Sequence, residues 1–522
     1  MTVRTLLYGG QVADGTGAAL ARADVLVSGD RVVGIGKYDP SDADVTLDCT
    51  GLIVAPGFID IHTHSDLSRF AYPEADSRVL QGITTEVIGN CGLGPAPIRG
   101  NADDVRAVIG PIDIIAEVEL PWNSVAEYFA ALDATPAATN VAALIGHGTL
   151  LVGATEEFGA DPARAQDRLA RMIEELGDAF AAGAWGLSFG LMYSPGELST
   201  VAELTELSSF VARNGGLVSM HLRAYDGERL DAAIREALEI AEDSGVRFQI
   251  SHLRSIQDDG SALSAALEML DKSTLDVEAD AYPYLAGHTT MLQLLPSELR
   301  ALPVPEIAER LQSDPVAAAR MIETSAGFAP ELITIAKAPR TPDAVGNTVT
   351  ALVEGSGHTS WGDFAVELLI ANDLSVDVIV VGTRPEDALR VLQHPLVSVA
   401  SDGLALSLGH DANLPHPRSI GTFPRSLNEL LRSGMDVATI VHKMTAKPAA
   451  RLGLVDRGTL VQGGFADITV FDATTVADQA TYAEPLVAPT GIHHVLVNGV
   501  AVVRDGVHTT ELPGLLLRRR TA

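Results

Sequence analysis

The sequence contains few cysteines and few lysines. Cys49 and Cys91 are its only two cysteines in 522 residues, too few for a disulfide framework, so each thiol serves either packing or chemistry. Lysine occurs at positions 37, 272, 337, 443 and 447 alone. None of these positions falls on a strand predicted below, so lysine is not among the candidate ligands on those strands.

Basic charge is also scarce. The chain has 36 Lys and Arg residues against 68 Asp and Glu residues, and the net charge of −32 repels phosphate backbones and anionic lipids. No uncharged run approaches the ~20 residues that span a bilayer, and no basic segment leads into an apolar run at the start of the sequence. We therefore expect a cytoplasmic protein without a nucleic-acid or membrane partner. The sequence leaves a homo-oligomer open.

Strand-like and helix-like stretches alternate through the middle of the chain. Apolar runs follow amphipathic stretches such as LDAAIREALEIAEDSG, which is the rhythm of a parallel sheet or barrel. Eight strands are predicted, at 58–64, 83–89, 141–147, 184–190, 216–222, 246–253, 275–284 and 397–403. This count predicts an α/β fold with a (β/α)8 TIM-like barrel, whose active site lies at the C-terminal strand ends.

The two ends of the chain predict a β-sandwich. Residues 6–36 alternate apolar runs with turn signals, and 493–506 reads as a hairpin about the turn Asn498-Gly499. One sandwich built from both ends is favoured over two separate sheets, because each sheet alone would be marginal.

These patterns give the expected domain boundaries. The sandwich takes 1–55 and 455–522, and the barrel takes 56–454. A Pro-rich stretch at about 290–394 is much longer than one barrel connection, so it predicts an inserted subdomain before the last strand. An insertion at the catalytic face would form a lid or a substrate wall.

Candidate metal ligands lie at the ends of the predicted strands. His62 and His64 are two residues apart on one strand, so both imidazoles point to the same side and can bind one Zn²⁺. The other candidates are Cys91, His221, His252 and Asp402. Their convergence on one rim predicts a metal site.

With these ligands, the sequence resembles the amidohydrolase superfamily. Within it, GITTEVIGNCG, GLSFGLMYSPG, DAYPYLAGHTT, ASDG and HPRSIGTFPR resemble the N-acyl-D-amino-acid deacylases, and the similarity covers nearly the whole chain. Many superfamily members use a carboxylated lysine as a bridging ligand, which this chain lacks on the eight predicted strands. The resemblance implies that Cys91 supplies a bridging thiolate instead.

The resemblance also implies how the metal is held and used. One tightly bound Zn²⁺ would lie among Cys91, His221 and His252, and His62, His64 and Asp402 would face a second, weaker site. Asp402 would act as general base on the attacking water and then as general acid toward the leaving amine. The implied activity is hydrolysis of the amide bond of N-acyl-D-amino acids, a small-molecule substrate.

The free carboxylate of such a substrate needs cationic or hydroxyl partners. Arg418 and Arg254 are candidates because an arginine fork can hold a carboxylate with two hydrogen bonds. Tyr284 in the sequence YPY is a third candidate. Similarity to the family adds Tyr193 and Thr290.

Some residues depart from the family pattern and leave specificity open. Arg254 stands in place of a usual Lys, Phe189 in place of a small hydroxyl residue, and Glu86 adds a carboxylate to the second strand. Phe189 faces either a pocket or the core. His147 is interpreted as supporting or structural.

The sequence also has alternatives to the deacylase prediction. The alternatives are a cyclic amidohydrolase of the hydantoinase or dihydropyrimidinase kind and an amidase for a xenobiotic substrate. The cysteine in GNCG and the absence of a strand lysine argue against the cyclic amidohydrolases. A scaffold without catalysis would have lost ligands, yet all six are present.

Overall fold

The fold is a parallel barrel, and the residues that precede and follow the barrel in the chain form additional sheets. The computed structural model describes residues 2–110, 118–300, 302, 304–325, 328–408 and 414–519.

The barrel consists of eight parallel strands, and each overlaps one of the eight predicted strands. Their order in the sheet follows the sequence from the first strand to the last. The strands are β1 (Phe58–Asp60), β2 (Ile83–Ile88), β3 (Asn140–Gly146), β4 (Gly186–Gly190), β5 (Leu217–His221), β6 (Arg247–Ile250), β7 (Val277–Ala281) and β8 (Val397–Val399). The predicted fold class is confirmed.

The barrel closes just past the ends of β1 and β8. Thr63 and Gly403 form a parallel bridge, Asp402 donates its N–H to the His62 carbonyl (2.9 Å), and Gly403 accepts from the His64 N–H (2.8 Å). This seam therefore fixes two predicted histidine ligands against the predicted aspartate by backbone hydrogen bonds.

Helices cover the outside of the barrel. In Ala165–Ala182, Leu169, Met172, Leu176 and Ala179 are buried at three- and four-residue spacing, as expected of an amphipathic helix on a core. The other helices of this layer are Ser68–Ala71, Asp76–Val79, Ala102–Ile109, Val125–Ala134, His147–Phe158, Val201–Arg213, Gly227–Ser244, Ser261–Lys272, Pro385–Gln393, Arg418–Arg432, Val437–Met444 and Ala446–Leu452. Across the described residues, every helix is too short or too polar to pass through a bilayer.

Strands from both chain ends form two further sheets. The four-stranded sheet has the order Arg31–Gly36, Asp24–Ser28, Arg4–Tyr8, Val45–Asp48. The seven-stranded sheet has the order Val507–His508, Val500–Arg504, Ile492–Val497, Ile468–Phe471, Ile53–Pro56, Gln11–Val12, Ala21–Arg22. Leu7, Val25, Val54, Ile468 and Leu496 lie in one core, so the two ends form one sandwich.

The hairpin at Asn498-Gly499 has the expected geometry. Both residues have positive φ angles (49° and 79°), as a type I′ turn requires. This turn joins Ile492–Val497 to Val500–Arg504 in the seven-stranded sheet.

A separate unit is inserted between β7 and β8. Its antiparallel sheet has the order Ala286–Thr290, Asp377–Val381, Ile333–Lys337. Its helices are Ser297–Arg300, Val304–Ser313, Pro315–Ser325, Val349–Ser356 and Trp361–Ala371, and they share their own apolar core with this sheet. Helix Pro385–Gln393 instead packs on the barrel core through Val391 and Leu392. We therefore propose 286–381 as the extent of the inserted unit.

Candidate metal centre and substrate pocket

The six predicted metal ligands lie together at the C-terminal rim of the barrel. His221 is the last residue of β5, and the others follow β1, β2, β6 and β8 within four residues. Ligand atoms of His62, His64, Cys91 and Asp402 lie within 4.8 Å of one another. Those of Cys91, His221 and His252 do the same, so Cys91 belongs to both groups.

The ligand atoms lie close together, both within the first group and across the shared Cys91. Cys91 Sγ lies 3.3 Å from His62 Nε2 and 3.5 Å from His252 Nε2. Asp402 Oδ1 lies 3.0 Å from His64 Nε2 and 3.4 Å from His62 Nε2. A thiolate between imidazoles is a donor set that suits zinc.

Three of these ligands have backbone angles in the left-handed region. The φ angles are 55° at Cys91, 34° at His252 and 52° at Asp402. Such angles are uncommon outside glycine and cluster at functional sites. At Gly190 a Cβ atom would lie 1.9 Å from the Cys91 carbonyl oxygen, so the turn that presents Cys91 needs glycine beside it.

The electrostatics of the site favour anionic sulfur and oxygen ligands. Burial alone would raise the pKa of Cys91, but the charge of His62 and neighbouring histidines bring this pKa well below its usual value. Burial likewise opposes ionisation of Asp402, yet the Arg418 guanidinium holds its pKa well below the ordinary range. Burial and the nearby His252 lower the pKa of His221 to about 4, so its imidazole is neutral.

The surroundings of the His221 side chain indicate whether these residues fit a metal ion. The side chain is buried, and neither ring nitrogen has a hydrogen-bond partner among the described residues. A buried polar atom without a partner costs free energy. Together with the thiolate and carboxylate donors beside it, this orphaned imidazole fits a zinc ligand.

Asp280, which is not among the residues predicted from the sequence, supports two of the histidines. Its Oδ1 accepts the His252 backbone N–H (2.7 Å) and lies 3.2 Å from His62 Nδ1, while Oδ2 accepts from Gln249 (2.9 Å). A carboxylate on the far nitrogen of a ligating histidine fixes its ring and tautomer.

Two guanidinium groups meet at Tyr282 beside the metal centre. The Tyr282 hydroxyl oxygen lies 3.2 Å from Arg418 Nη1 and 2.5 Å from Arg254 Nη1. Arg418 also donates to Asp402 Oδ2 at 2.6 Å. The predicted residues Arg418 and Arg254 are thus brought together, and Tyr282 is the residue between them that sequence reasoning missed.

The three remaining predicted substrate residues are placed differently. The Tyr193 ring lies 4.9 Å from the His221 ring, and its hydroxyl is 3.5 Å from Thr289 Oγ1. Tyr284 instead donates to Asp478 Oδ2 at 2.7 Å. The Thr290 hydroxyl is also directed elsewhere: it accepts the N–H of Leu292 and donates to the Val376 carbonyl.

Of the residues that depart from the family pattern, Arg254 lies at the pocket, whereas Phe189 and Glu86 are buried in other contacts. Phe189 is fully buried, and its ring lies 5.3 Å from the His147 ring in the layer between barrel and helices, so it faces the core. His147 Nε2 lies 3.3 Å from Glu203 Oε1. Glu86 is buried and accepts hydrogen bonds from Ser65 (2.5 Å) and Thr139 (2.7 Å).

A parallel barrel with His, Cys and Asp side chains converging at its C-terminal rim defines the class of metal-dependent barrel hydrolases. The model of the amidohydrolase family matches residues 45–503. The chain belongs to the amidohydrolase family.

Several relatives match almost the full length of the chain. N-acyl-D-glutamate deacylase of Alcaligenes xylosoxydans xylosoxydans is 36% identical over 98% of this chain and 96% of its own length. D-aminoacylase of the same organism is 34% identical over 99% and 98%. The resemblance seen in the sequence motifs is confirmed.

Solved structures agree with these relatives. A crystal structure of N-acyl-D-glutamate deacylase from Bordetella bronchiseptica, complexed with zinc and a phosphonate inhibitor, has a TM-score of 0.84 at 32% identity and covers 99% of this chain and all of that one. A dihydropyrimidinase from Brevibacillus agri reaches only 0.57 at 15% identity, over 99% of each chain, which shows the shared fold alone.

Proposed function

We propose that this protein is a zinc-dependent deacylase that hydrolyses the amide bond of N-acyl-D-amino acids and releases a carboxylate and a free D-amino acid. The observation that carries the proposal is the position of Cys91, whose sulfur belongs to both ligand groups in a chain similar over its full length to D-aminoacylases. The low similarity to dihydropyrimidinases gives no support to cyclic amides.

Zinc would be held in two places. Cys91, His221 and His252 would bind the tight ion, and His62, His64 and Asp402 with the shared Cys91 would face the weaker position. When bound, zinc lowers the pKa of its water toward about 7 and polarises the scissile carbonyl.

Asp402 would handle the proton. Its Oδ2 is held by Arg418 and its Oδ1 faces His62 and His64, so Oδ1 would be the oxygen that meets the attacking water. An ionised Asp402 takes the proton of that water and then gives it to the amine nitrogen, because an amine leaves only when it is protonated.

Arg254 and Arg418 would bind the substrate carboxylate. Arg418 is partly neutralised by Asp402, whereas Arg254 has Tyr282 as its hydrogen-bond partner and no acidic partner among the described residues. Its charge is therefore available to an anion, which would place the carboxylate near Tyr282 with the amide toward the metal. Tyr193 would border the same space.

The proposal includes a cytoplasmic location. Both cysteines are free and buried, and a reducing compartment keeps a ligating thiol such as Cys91 from oxidation.

The test compares amine release from N-acetyl-D-leucine, N-acetyl-L-leucine, N-acetyl-D-glutamate and N-acetyl-L-glutamate with zinc-loaded enzyme. We expect release from D-substrates alone and its loss in Cys91→Ala. No release from any of the four with zinc bound would refute this assignment and direct the search to cyclic amides and larger acyl groups.

A further inference from the structure

One histidine outside the metal centre bonds both to the segment that carries Arg418 and to the inserted unit. His416 lies two residues before Arg418, in the segment that leads into helix Arg418–Arg432, and it is 3% exposed. Its ring lies 5.3 Å from the Tyr284 ring and 5.2 Å from the Tyr482 ring, both edge-on, so the imidazole cannot move freely.

Both ring nitrogens of His416 are bonded to backbone groups. Nδ1 accepts the N–H of Arg418 (3.0 Å), and Nε2 lies 3.1 Å from the Ala286 carbonyl oxygen. Since a carbonyl only accepts and an N–H only donates, the ring must be neutral with its proton on Nε2. Burial and the nearby Arg418 lower the pKa of His416 well below its usual value, which agrees with a neutral ring.

The hydrogen bond from Arg418 to His416 gives an acceptor to an N–H group at the start of a helix. The first four N–H groups of a helix have no acceptor within it, and Arg418 is the first residue of Arg418–Arg432. The N-cap position is Pro417, whose side chain has no acceptor atom. His416 therefore holds the turn from which the Arg418 guanidinium extends to Asp402 and Tyr282.

The bond to Ala286 reaches the first strand of the inserted unit. The Ala286 N–H is in turn held by the Tyr482 hydroxyl (3.2 Å), so two side chains hold both of its backbone polar groups. The next residues border the pocket. A Cβ atom at Gly287 would lie 2.5 Å from the Arg254 guanidinium, and Thr289 approaches Tyr193.

We propose that His416 is a positioning residue that fixes the position of Arg418 relative to strand Ala286–Thr290. In this position Arg418 and Arg254 would hold the substrate carboxylate together. This inference rests on the proposed function. Arg254 is located by its contact with Gly287, and Arg418 is located relative to the same strand through His416.

Two substitutions of His416 test its two hydrogen bonds separately. In His416→Asn the side-chain oxygen falls near the place of Nδ1 and retains an acceptor for Arg418. In His416→Gln the amide falls near the place of Nε2 and retains a donor for Ala286. His442→Gln is the control, because His442 Nδ1 also bonds a backbone carbonyl, that of Gly15 (2.9 Å), but at the junction with the sandwich.

The measurement is kcat/KM for N-acetyl-D-leucine and for N-acetyl-D-leucinamide, which lacks the carboxylate. Because small misplacements at a reacting centre cost up to about 100-fold, we expect His416→Gln to lower the acid-to-amide ratio about tenfold or more, mainly through KM for the acid. His416→Asn should lower it less, and His442→Gln should leave it unchanged. Equal losses for both substrates would overturn the inference and leave His416 a structural residue.

Hydrogen exchange gives a readout that does not require turnover. In zinc-loaded His416→Gln, the amide of Arg418 should exchange faster than in the wild type, while that of Ala286 should retain most of its protection. Unchanged exchange at Arg418 would overturn the inference. Absence of wild-type activity with faster exchange at Arg418 would instead refute the proposed deacylase and leave the link from His416 to Arg418 intact.

Discussion

Arg418 Nη1 donates to Asp402 Oδ2 at 2.6 Å, and both side chains are less than one-tenth exposed. A buried pair of this kind is a weak source of net stability, but removing one partner leaves the other charge uncompensated. The pair therefore couples the expected general base to the expected substrate anchor.

Loss of the arginine should be costly. Arg418→Met should lower the free energy of unfolding by about 3–5 kcal/mol, the usual cost of breaking a buried ion pair. Urea unfolding of the zinc-loaded protein checks it. The matched control is Arg235→Met, which removes an exposed pair with Asp231 and should cost less than about 1 kcal/mol. Equal costs for the two variants would contradict the pairing.

Zinc retention should depend on one cysteine and not on the other. Cys91→Ala removes the ligand shared by both groups, so the dialysed protein should lose its tightly held zinc. Cys49→Ala is the control, because Cys49 is buried in the sandwich core. Metal analysis after dialysis against a chelator decides the point. Zinc retained at the wild-type level in Cys91→Ala would exclude a ligand role.

The ligand positions could be predicted from sequence because strand alternation continues beyond β1. His62 and His64 lie past the last residue of β1, yet the bridge between Thr63 and Gly403 keeps this segment extended. Both imidazoles therefore point to one side, as a two-residue spacing predicts. Cys91, three residues after β2, is a candidate ligand because of its place at a strand end, and the family resemblance adds its bridging role.

The contacts of the tyrosines and threonines near the pocket could not be predicted in the same way. Strand β7 ends at Ala281, so alternation no longer determines the direction of Tyr282 and Tyr284. Tyr284 is directed by Asp478, a contact across 194 residues that local pattern cannot indicate. Thr289 and Thr290 are neighbours on one strand, so their side chains lie on opposite faces. An error of one residue in the predicted strand register therefore exchanges the faces of the two side chains.

Asp280 offers a test of how the histidines are held. Asp280→Asn keeps the side-chain volume but removes the charge beside His62 and His252, so zinc affinity should fall about 10- to 100-fold. Competition with a zinc chelator measures it. Asp271→Asn is the control, because Asp271 is exposed and pairs with His394 outside the metal centre. An affinity equal to that of the wild type would show that Asp280 does not orient the ligands.

Phe189 should determine stability and not substrate choice. Because it is fully buried against His147 in the core, Phe189→Ala should cost about 3–5 kcal/mol of unfolding free energy. The activity ratio between N-acetyl-D-leucine and N-acetyl-D-alanine should stay within about twofold. A marked change in this ratio, with stability retained, would instead place Phe189 at the pocket.

Lys443 should make stability depend on pH. The side chain is buried, donates to the His394 carbonyl (2.6 Å), and lies near Lys447, so burial first and that charge second lower its pKa to about 7. Between pH 7 and the ordinary lysine pKa of about 10.4, the unfolded chain binds the proton that the folded chain has lost. The unfolded state then binds more protons, so this group makes stability rise with pH across that window, by at most about 1.4 kcal/mol per pH unit. Lys443→Met should flatten this rise in urea unfolding at pH 7 to 10, whereas the exposed Lys272→Met should not. A wild-type slope retained in Lys443→Met would show that Lys443 keeps its proton when folded.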